Sequence, residues 1–291
     1  MPPPTRSLST DVKRVLLRLL AFGLLSVALI VAVGMVLKPA FPSGLPFGRA
    51  GKVLYFLIVG LSLGLSHLAA AFWEKSGDWA VLGFAPEGWH PRRIGFALLA
   101  GVGVVVLPAL LFLGIGIARI QPMADGGWLG YALDVLVVSA LATLTDAMAF
   151  RGYLHGLLER RWGAWVAVGV TTLLFTLVHA FGTPMSAMHL LAMIALGTFL
   201  GAVRARSEGV AASWAAHFAI FWAQGALLHS GVSLLDLEAP PIYRMVLGPP
   251  WFVTGAGWGV DGGLAVAVLL FAAAWFLMRP LPLVPPPPAR P

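Results

Sequence analysis

The chain has 291 residues, of which 59% are hydrophobic and only 11% are charged, and its apolar residues occur in runs too long for a water-soluble core. This composition excludes a soluble globular enzyme and predicts an all-α, polytopic membrane protein. The net charge of +7 does not indicate a nucleic-acid-binding protein, because the basic residues lie at the ends of the apolar runs and form no stripe. The sequence contains no cysteine, which excludes disulfides and thiolate metal sites.

Eight apolar runs predict a bundle of about eight transmembrane helices in a single domain, residues 15–278. The polar residues 1–14 and the proline-rich residues 279–291 are predicted to be cytoplasmic tails. The first run begins with basic residues, as a signal sequence does. It is long enough to span a membrane and no small-residue cleavage site follows it, so we expect it to be retained. The predicted spans are residues 19–37, 53–73, 94–117, 128–146, 165–179, 188–203, 210–229 and 258–278.

The connections between the spans give the predicted orientation. Most of the 19 lysine and arginine residues fall on the side that carries both termini, and the positive-inside rule assigns that side to the cytoplasm. We therefore expect an integral protein of a bacterial inner or plasma membrane, surrounded by membrane lipids. The fourth span is expected to continue as a helix past the membrane to Arg160, since no strong helix breaker intervenes. Residues 230–257 are expected to form an extramembrane loop.

Two ionisable residues lie inside apolar helices, where contact with lipid would be costly, and such residues are functional candidates. Asp146 is in the fourth span and His179 is at the end of the fifth. The two positions are equidistant from the turn at Trp162 and Gly163, so in an antiparallel helical hairpin they face each other at one level. At 1.5 Å rise per residue, that level is roughly 25 Å from the turn.

The other polar residues of the spans are weighed against a purely structural role. His217 in the seventh span is a third functional candidate. His67, Asp134 and His189 are interpreted as buried residues that pack or hydrogen-bond between helices. A carboxylate and an imidazole on facing helices can activate water in two ways. Either the acid is a general base that the histidine orients, or both bind a divalent metal that lowers the pKa of the water, and two histidines with a carboxylate are a common zinc ligand set.

The fourth span ends in a motif that resembles the first motif of the CPBP family. This is the family of CAAX protease and bacteriocin-processing intramembrane metalloproteases, which includes the type II CAAX prenyl endopeptidases. The family motif is Glu-Glu-x-x-x-Arg, usually continued as Phe-Arg-Gly-x-Leu, and residues 150–154 match the continuation. Asp146 stands in the place of the first glutamate, and Ala147 stands in the place of the second.

Two further motifs follow in the family's order. The second motif, Phe-x-x-x-His, is intact as Phe175 and His179. The third, His-x-x-x-Asn or Asp, keeps His217 but has Phe221 in the last place. Order and spacing over the motif core, residues 128–224, make the resemblance more specific than any single motif.

The resemblance implies a CAAX-type intramembrane metalloendopeptidase. Asp146, His179 and His217 would then be the catalytic residues, and the same three would be the ligands of a divalent metal such as zinc. Arg151 and Phe175 would support them. The implied substrate is a membrane-associated protein or a lipidated peptide, and no nucleic-acid partner is expected.

The departures from the family motifs leave an alternative open. Aspartate at position 146 retracts the carboxylate by about 1.5 Å relative to glutamate, and a misplacement of that size can cost about 10²-fold in rate. Ala147 removes a carboxylate and Phe221 removes a polar partner of His217. The alternative is a catalytically degenerate family member that acts as a membrane scaffold or immunity protein. A transporter is less consistent with the sequence, because no inverted repeat is visible.

Overall fold

The computed structural model describes residues 8–41, 44–45, 48–74, 79–124, 126–182, 185–230 and 241–279. The α-helices of this part of the chain are α1 Leu8–Leu37, α2 Gly48–Glu74, α3 Trp79–Leu82, α4 Pro91–Gly114, α5 Trp128–Arg151, α6 Tyr153–Trp162, α7 Ala164–Gly182, α8 Ala187–Ser207, α9 Val210–Trp222, α10 Trp251–Thr254 and α11 Leu264–Met278. Short 3-10 turns cover Pro86–Trp89, Ala256–Trp258 and Val260–Gly262, and a π-helical turn, Ala223–Leu228, extends α9.

Within the described residues, six helical segments are long and apolar enough to cross a membrane. They are Val12–Leu37, Gly48–Glu74, Pro91–Gly114, Trp128–Trp162, Ala164–Phe181 and Ala187–Ser207. Helix α11 is a shorter apolar helix, and α9 with its π turn is a second apolar segment. The prediction of a polytopic helical membrane protein is confirmed, and the predicted number of eight spans is approximate.

The helix that was expected to run unbroken to Arg160 is interrupted at Gly152, so this prediction is wrong. Gly152 has φ −80° and ψ −128°, which ends α5 and starts α6. The ring of His67 lies against the break, and its Nε2 accepts a hydrogen bond from the backbone N–H of Tyr153 at 3.3 Å. A Cβ at Gly152 would lie 2.2 Å from that nitrogen, so the close approach requires glycine. His67 is therefore packed between helices, as expected.

The chain between α9 and α11 differs from the prediction in two ways. A strand, β2 Tyr243–Leu247, pairs antiparallel with β1 Ala118–Pro122, and the pattern of helical spans had not indicated this ribbon. The last membrane-associated helix begins at Leu264, six residues after the predicted start at Trp258, because two 3-10 turns occupy the intervening chain. Residues 231–240 of the predicted loop lie outside the described residues, as do residues 1–7 and 280–291 of the predicted tails.

Close helix crossings bring the central helices together. A Cβ at Gly197 of α8 would lie 3.0 Å from the Thr172 methyl group and 3.2 Å from the Phe175 ring, both on α7. A Cβ at Gly101 of α4 would lie 2.4 Å from the carbonyl oxygen of Ala216 on α9. Small residues at such crossings allow helix backbones to approach within a membrane. These contacts bring α7 against α8 and α4 against α9.

Candidate active site

The three predicted catalytic side chains converge. Oδ2 of Asp146 on α5 lies 3.6 Å from Nε2 of His179 on α7 and 3.8 Å from Nδ1 of His217 on α9. All three line one cavity of about 430 Å³. The expected meeting of Asp146 and His179 at one level of the hairpin is confirmed, and the roles of the three residues in chemistry stay a prediction.

The orientation of His179 is set by its own helix. Its Nδ1 is 2.8 Å from the carbonyl oxygen of Phe175, one turn earlier. A carbonyl oxygen can only accept, so Nδ1 carries a proton and Nε2 faces Asp146. Polar atoms 3.6 Å apart are too far for a direct hydrogen bond, but one water can bridge them from the cavity side.

Phe175 lies at the centre of the site and is fully buried. Its ring is 4.3 Å from the His179 ring and 6.0 Å from the His217 ring, measured between centroids. The guanidinium carbon of Arg151 lies 4.5 Å from the Phe175 centroid, within the range of a cation–π contact. The phenylalanine of the second motif therefore contacts both imidazoles, packs against the guanidinium of Arg151 and supplies the carbonyl oxygen that orients His179.

Arg151 lies behind this ring and is only 1% exposed. Its Nη2 donates to the carbonyl oxygen of Gly197 at 3.3 Å, and its own carbonyl oxygen accepts from Nε of Arg204 at 2.8 Å. These contacts join α5 to α8. They agree with the expected supporting role of Arg151, because the guanidinium packs under the site and does not line the cavity.

The two positions that depart from the family motifs are apolar in space as well as in sequence. Ala147 is 3% exposed. Phe221 lines the cavity and presents its ring to that of His217 at 6.3 Å between centroids, with the ring planes 85° apart. Neither position supplies a hydrogen-bonding group to the triad.

Two polar residues that the sequence analysis missed line the same cavity, namely Gln224 and Asp261. The backbone N–H of Asp261 donates to Oε1 of Gln224 at 3.0 Å. Burial raises the pKa of the Asp261 carboxyl to about 6. Gln224 had a sequence signal, since it follows His217 by seven residues and so shares its helical face. For Asp261, the only indication in the sequence was that an acidic residue lies within an apolar stretch.

The polar residues that were given structural interpretations have structural surroundings. Asp134 on α5 forms an ion pair with Arg49 on α2. His189 and Ser186 form a capping box at the start of α8, and the His189 ring stacks on Trp258 at 4.2 Å between centroids. Both interpretations agree with these contacts.

A metal ion was expected on Asp146, His179 and His217. The donors suit zinc in type, since imidazole nitrogens and a carboxylate are common zinc ligands. Among the described residues, however, no group of three or more His, Asp or Glu side chains is arranged as a metal-ligand set. The divalent metal stays a prediction, and the chemistry argued below runs through the carboxylate and the imidazoles.

Comparison with known families agrees with the motifs. Residues 128–223 match the family model described as Type II CAAX prenyl endopeptidase Rce1-like. Neither the curated proteins nor the solved structures gave a significant match. The matched segment contains α5 to α9, and therefore all three residues of the triad. Residues 128–223 are thus similar to the Rce1-like family model, and the chain is an integral membrane protein.

Proposed function

We propose that this protein is an intramembrane endopeptidase that hydrolyses a peptide bond in a membrane-associated or lipidated substrate. The observation that carries the proposal is the meeting of Asp146, His179 and His217 around one carboxylate oxygen in a cavity. Ionisable groups inside a membrane protein are costly, and three that share a cavity are best explained by a reaction or a transport path. The similarity to the Rce1-like family model favours the reaction.

The proposed reaction begins with a water held between Asp146 and His179. The carboxylate takes a proton from this water, and the lone pair of His179 Nε2 accepts its other hydrogen, so the oxygen is directed at the carbonyl carbon of the substrate. A C–O bond forms and the carbonyl oxygen becomes an oxyanion. His217, which is buried with its Nδ1 3.8 Å from Oδ2, stabilises the charges of this intermediate in the proposed reaction.

The cavity also indicates what kind of substrate it accepts. Beside the triad, it is lined by apolar residues of α1 and α2, namely Ile30, Tyr55, Phe56, Val59 and Leu63. An apolar wall next to a hydrolytic group suits an extended peptide that carries apolar side chains or an attached lipid chain. The family description, which names prenylated CAAX substrates, supplies the first probe to use.

A second candidate is a degenerate family member that binds a membrane partner without cleaving it. Ala147 and Phe221 favour this candidate, because Phe221 packs edge-on against His217 where the family has a polar group. It explains the apolar substitutions but gives no role to Asp146. We therefore propose the peptidase as the better account.

The proposal is tested with purified protein in detergent, a fluorogenic farnesylated CAAX peptide and a library of membrane-protein peptides. Cleavage by the wild type that is lost in His179→Ala would support it. A folded wild type that cleaves neither the peptide nor the library would overturn it and favour the binding protein. Metal analysis of both samples tests the expected metal, since a metal held by the triad would be lost from His179→Ala.

A further inference from the structure

The segment before α11 brings a second acid to the cavity. The turns Ala256–Trp258 and Val260–Gly262 carry Trp258 and Asp261 to the wall that Gln224 lines. The segment is tied to the π turn after α9, because Nε2 of Gln224 donates to the carbonyl oxygen of Trp258 at 3.3 Å and Oε1 accepts from the backbone of Asp261. The helix that carries His217 is thus connected directly to Asp261.

Glycines make this segment tight, so that the position of Asp261 is well determined. Gly255 and Gly259 have φ of 94° and 98°, in the left-handed region that glycine adopts without strain. A Cβ at Gly255 would lie 1.9 Å from the carbonyl oxygen of Gly259, and one at Gly263 would lie 2.2 Å from that of Val253. Backbone packed this closely fixes the path of the chain on both sides of Asp261.

The carboxyl of Asp261 is buried and is paired with no arginine or lysine in the part of the chain described. Gln224 and the backbone N–H groups of Asp261 and Gly262 hydrogen-bond to the carboxyl, but its Oδ1 has no partner among the described residues. The described acids Asp134 and Glu74 are, by contrast, each paired with an arginine. A buried carboxylate without a cation beside it is costly, and protonation relieves the cost. The raised pKa of about 6 means that a fraction of Asp261 is protonated near neutral pH, when Oδ1 or its partner oxygen can donate a proton.

Resting on the proposed function, we propose that Asp261 is the general acid of the site and protonates the leaving nitrogen of the substrate. The triad contains one carboxylate, Asp146, and the family's second acid is replaced by Ala147. Asp261 returns a second carboxyl to the cavity from another part of the chain. A pair of carboxyl groups in different surroundings is a common arrangement for base and acid in hydrolysis.

The proton and bond balance is complete with these groups. Asp146 takes one proton from water as the C–O bond forms. The tetrahedral intermediate then collapses and the C–N bond breaks, while the nitrogen takes a proton from the protonated Asp261. The products are a carboxylic acid and an amine. Transfer of the proton from Asp146 to Asp261 through cavity water restores the starting state, with one water consumed.

The test compares Asp261→Asn with wild type on two substrates of the same sequence, one with a scissile amide and one with a scissile thioester. An amine leaves only when protonated, whereas a thiol with a pKa of about 8.5 leaves readily as the thiolate. We expect kcat/KM on the amide to fall about 10²-fold and on the thioester less than about tenfold. Wild-type amide cleavage should decline as pH rises through about 6, because the acid loses its proton. Asp261→Asn should lose this decline.

Controls separate a catalytic role from a structural one. Asp261→Glu keeps a carboxyl and should recover part of the amide activity, while Glu87→Gln, at an exposed acid, should match wild type. Equal losses on amide and thioester, or an unchanged pH profile in Asp261→Asn, would overturn the proposal even if Asp146→Asn is inactive. If Asp146→Asn and His179→Ala cleave normally, the proposed function itself is wrong.

A second measurement does not depend on activity. Infrared difference spectra between pH 5 and pH 7.5 should show a protonated carboxyl band in wild type and in Glu87→Gln that is missing from Asp261→Asn. The range is chosen to bracket the pKa of about 6. Absence of such a band from the wild type would overturn the assignment of Asp261, whatever the cleavage assays show.

Discussion

Two polar clusters lie in neighbouring parts of the helix bundle, one on α5, α7 and α9 and the other on α6 and α8, and they differ in whether they face the cavity. The active-site cluster is Asp146, His179 and His217, in which the first two side chains are 24% and 22% exposed and face a cavity. The sealed cluster is His155, Glu159 and Arg204, nearer the turn between α6 and α7. In this cluster the His155 and Arg204 side chains are 0% and 2% exposed, Glu159 at its edge is 29% exposed, and none of the three lines the cavity. Groups that must meet a substrate need a cavity, whereas groups that only join helices do not.

The contacts of the sealed cluster are those of a structural joint. Arg204 on α8 donates to the carbonyl oxygen of Arg151, just where α5 ends at Gly152, and lies 3.8 Å from Glu159 on α6. His155 on α6 lies 3.5 Å from the hydroxyl of Thr171 on α7. The interruption of the fourth span frees backbone groups, and Arg204 satisfies one of them. Substitutions in the two clusters should therefore separate activity from stability.

The largest effect is expected from Asp146→Asn. Asparagine keeps the size of the side chain but cannot take a proton from water, so kcat should fall about 10³-fold while the unfolding temperature changes little. The matched control is Asp134→Asn on the same helix, outside the cavity, which should leave turnover per folded molecule unchanged. Initial rates of peptide cleavage, divided by the folded fraction, decide the outcome. An equal loss of turnover in both variants would contradict a specific catalytic role for the carboxylate that faces the cavity.

The next largest effect is expected from Arg204→Leu in the sealed cluster. Leucine leaves the buried carbonyl oxygen of Arg151 without its donor, and an unsatisfied buried acceptor costs about 1–3 kcal/mol. Unfolding followed by tryptophan fluorescence in detergent should show the loss, with kcat of the folded protein unchanged. Arg206→Leu is the control, since Arg206 lies two residues away and is exposed. A stable but inactive Arg204→Leu protein would show that the sealed cluster takes part in the chemistry.

A third prediction tests whether the active-site cluster is a weakened enzyme site or a binding site. The triple variant Asp146→Glu, Ala147→Glu and Phe221→Asn restores the family's residues. We expect cleavage to rise by about 10²-fold if the retracted carboxylate limits the rate. His179→Ala added to this variant should abolish the gain.

The opposite outcome has a clear physical basis. Ala147 and Phe221 are packed among apolar neighbours, and a new carboxylate or amide there costs several kcal/mol if it finds no partner. A triple variant that folds but neither binds metal nor cleaves would favour the scaffold or immunity protein.

The comparison of the clusters also shows what the sequence could predict. Asp146 and His179 could be paired from their equal distances to the turn, because α6 and α7 are joined by the single residue Gly163. The break at Gly152 leaves Asp146 and His179 at the same level, because α6 continues towards the same turn. Helical geometry and motif spacing were therefore enough to predict that the three residues of the triad lie together.

The position of Asp261 in the cavity could not be predicted from the sequence, for a physical reason. Its position depends on glycine conformations at residues 255 and 259 and on a hydrogen bond to Gln224, 37 residues away in the sequence. Neither the glycine conformations nor this long-range hydrogen bond produces a periodic pattern of apolar residues in the sequence. The apolar composition of residues 258–263 instead suggested that the last span begins there. The pairing of β1 with β2 was missed for the same reason, because the two strands are far apart in the sequence and are separated by five helices.

The smallest effect is expected from Arg151→Lys, which lies between the two clusters. Lysine keeps the positive charge but loses the planar guanidinium that lies on the Phe175 ring and donates to Gly197. We expect a loss of about 2 kcal/mol in the free energy of unfolding, from one charged hydrogen bond and part of the cation–π contact. Turnover per folded molecule should change less, because the carbonyl of Phe175 still orients His179. Denaturation and kcat measured on the same sample, with Arg206→Lys as the control, separate the two quantities. Normal stability with abolished cleavage would contradict the supporting role and would show that Arg151 takes part in the reaction.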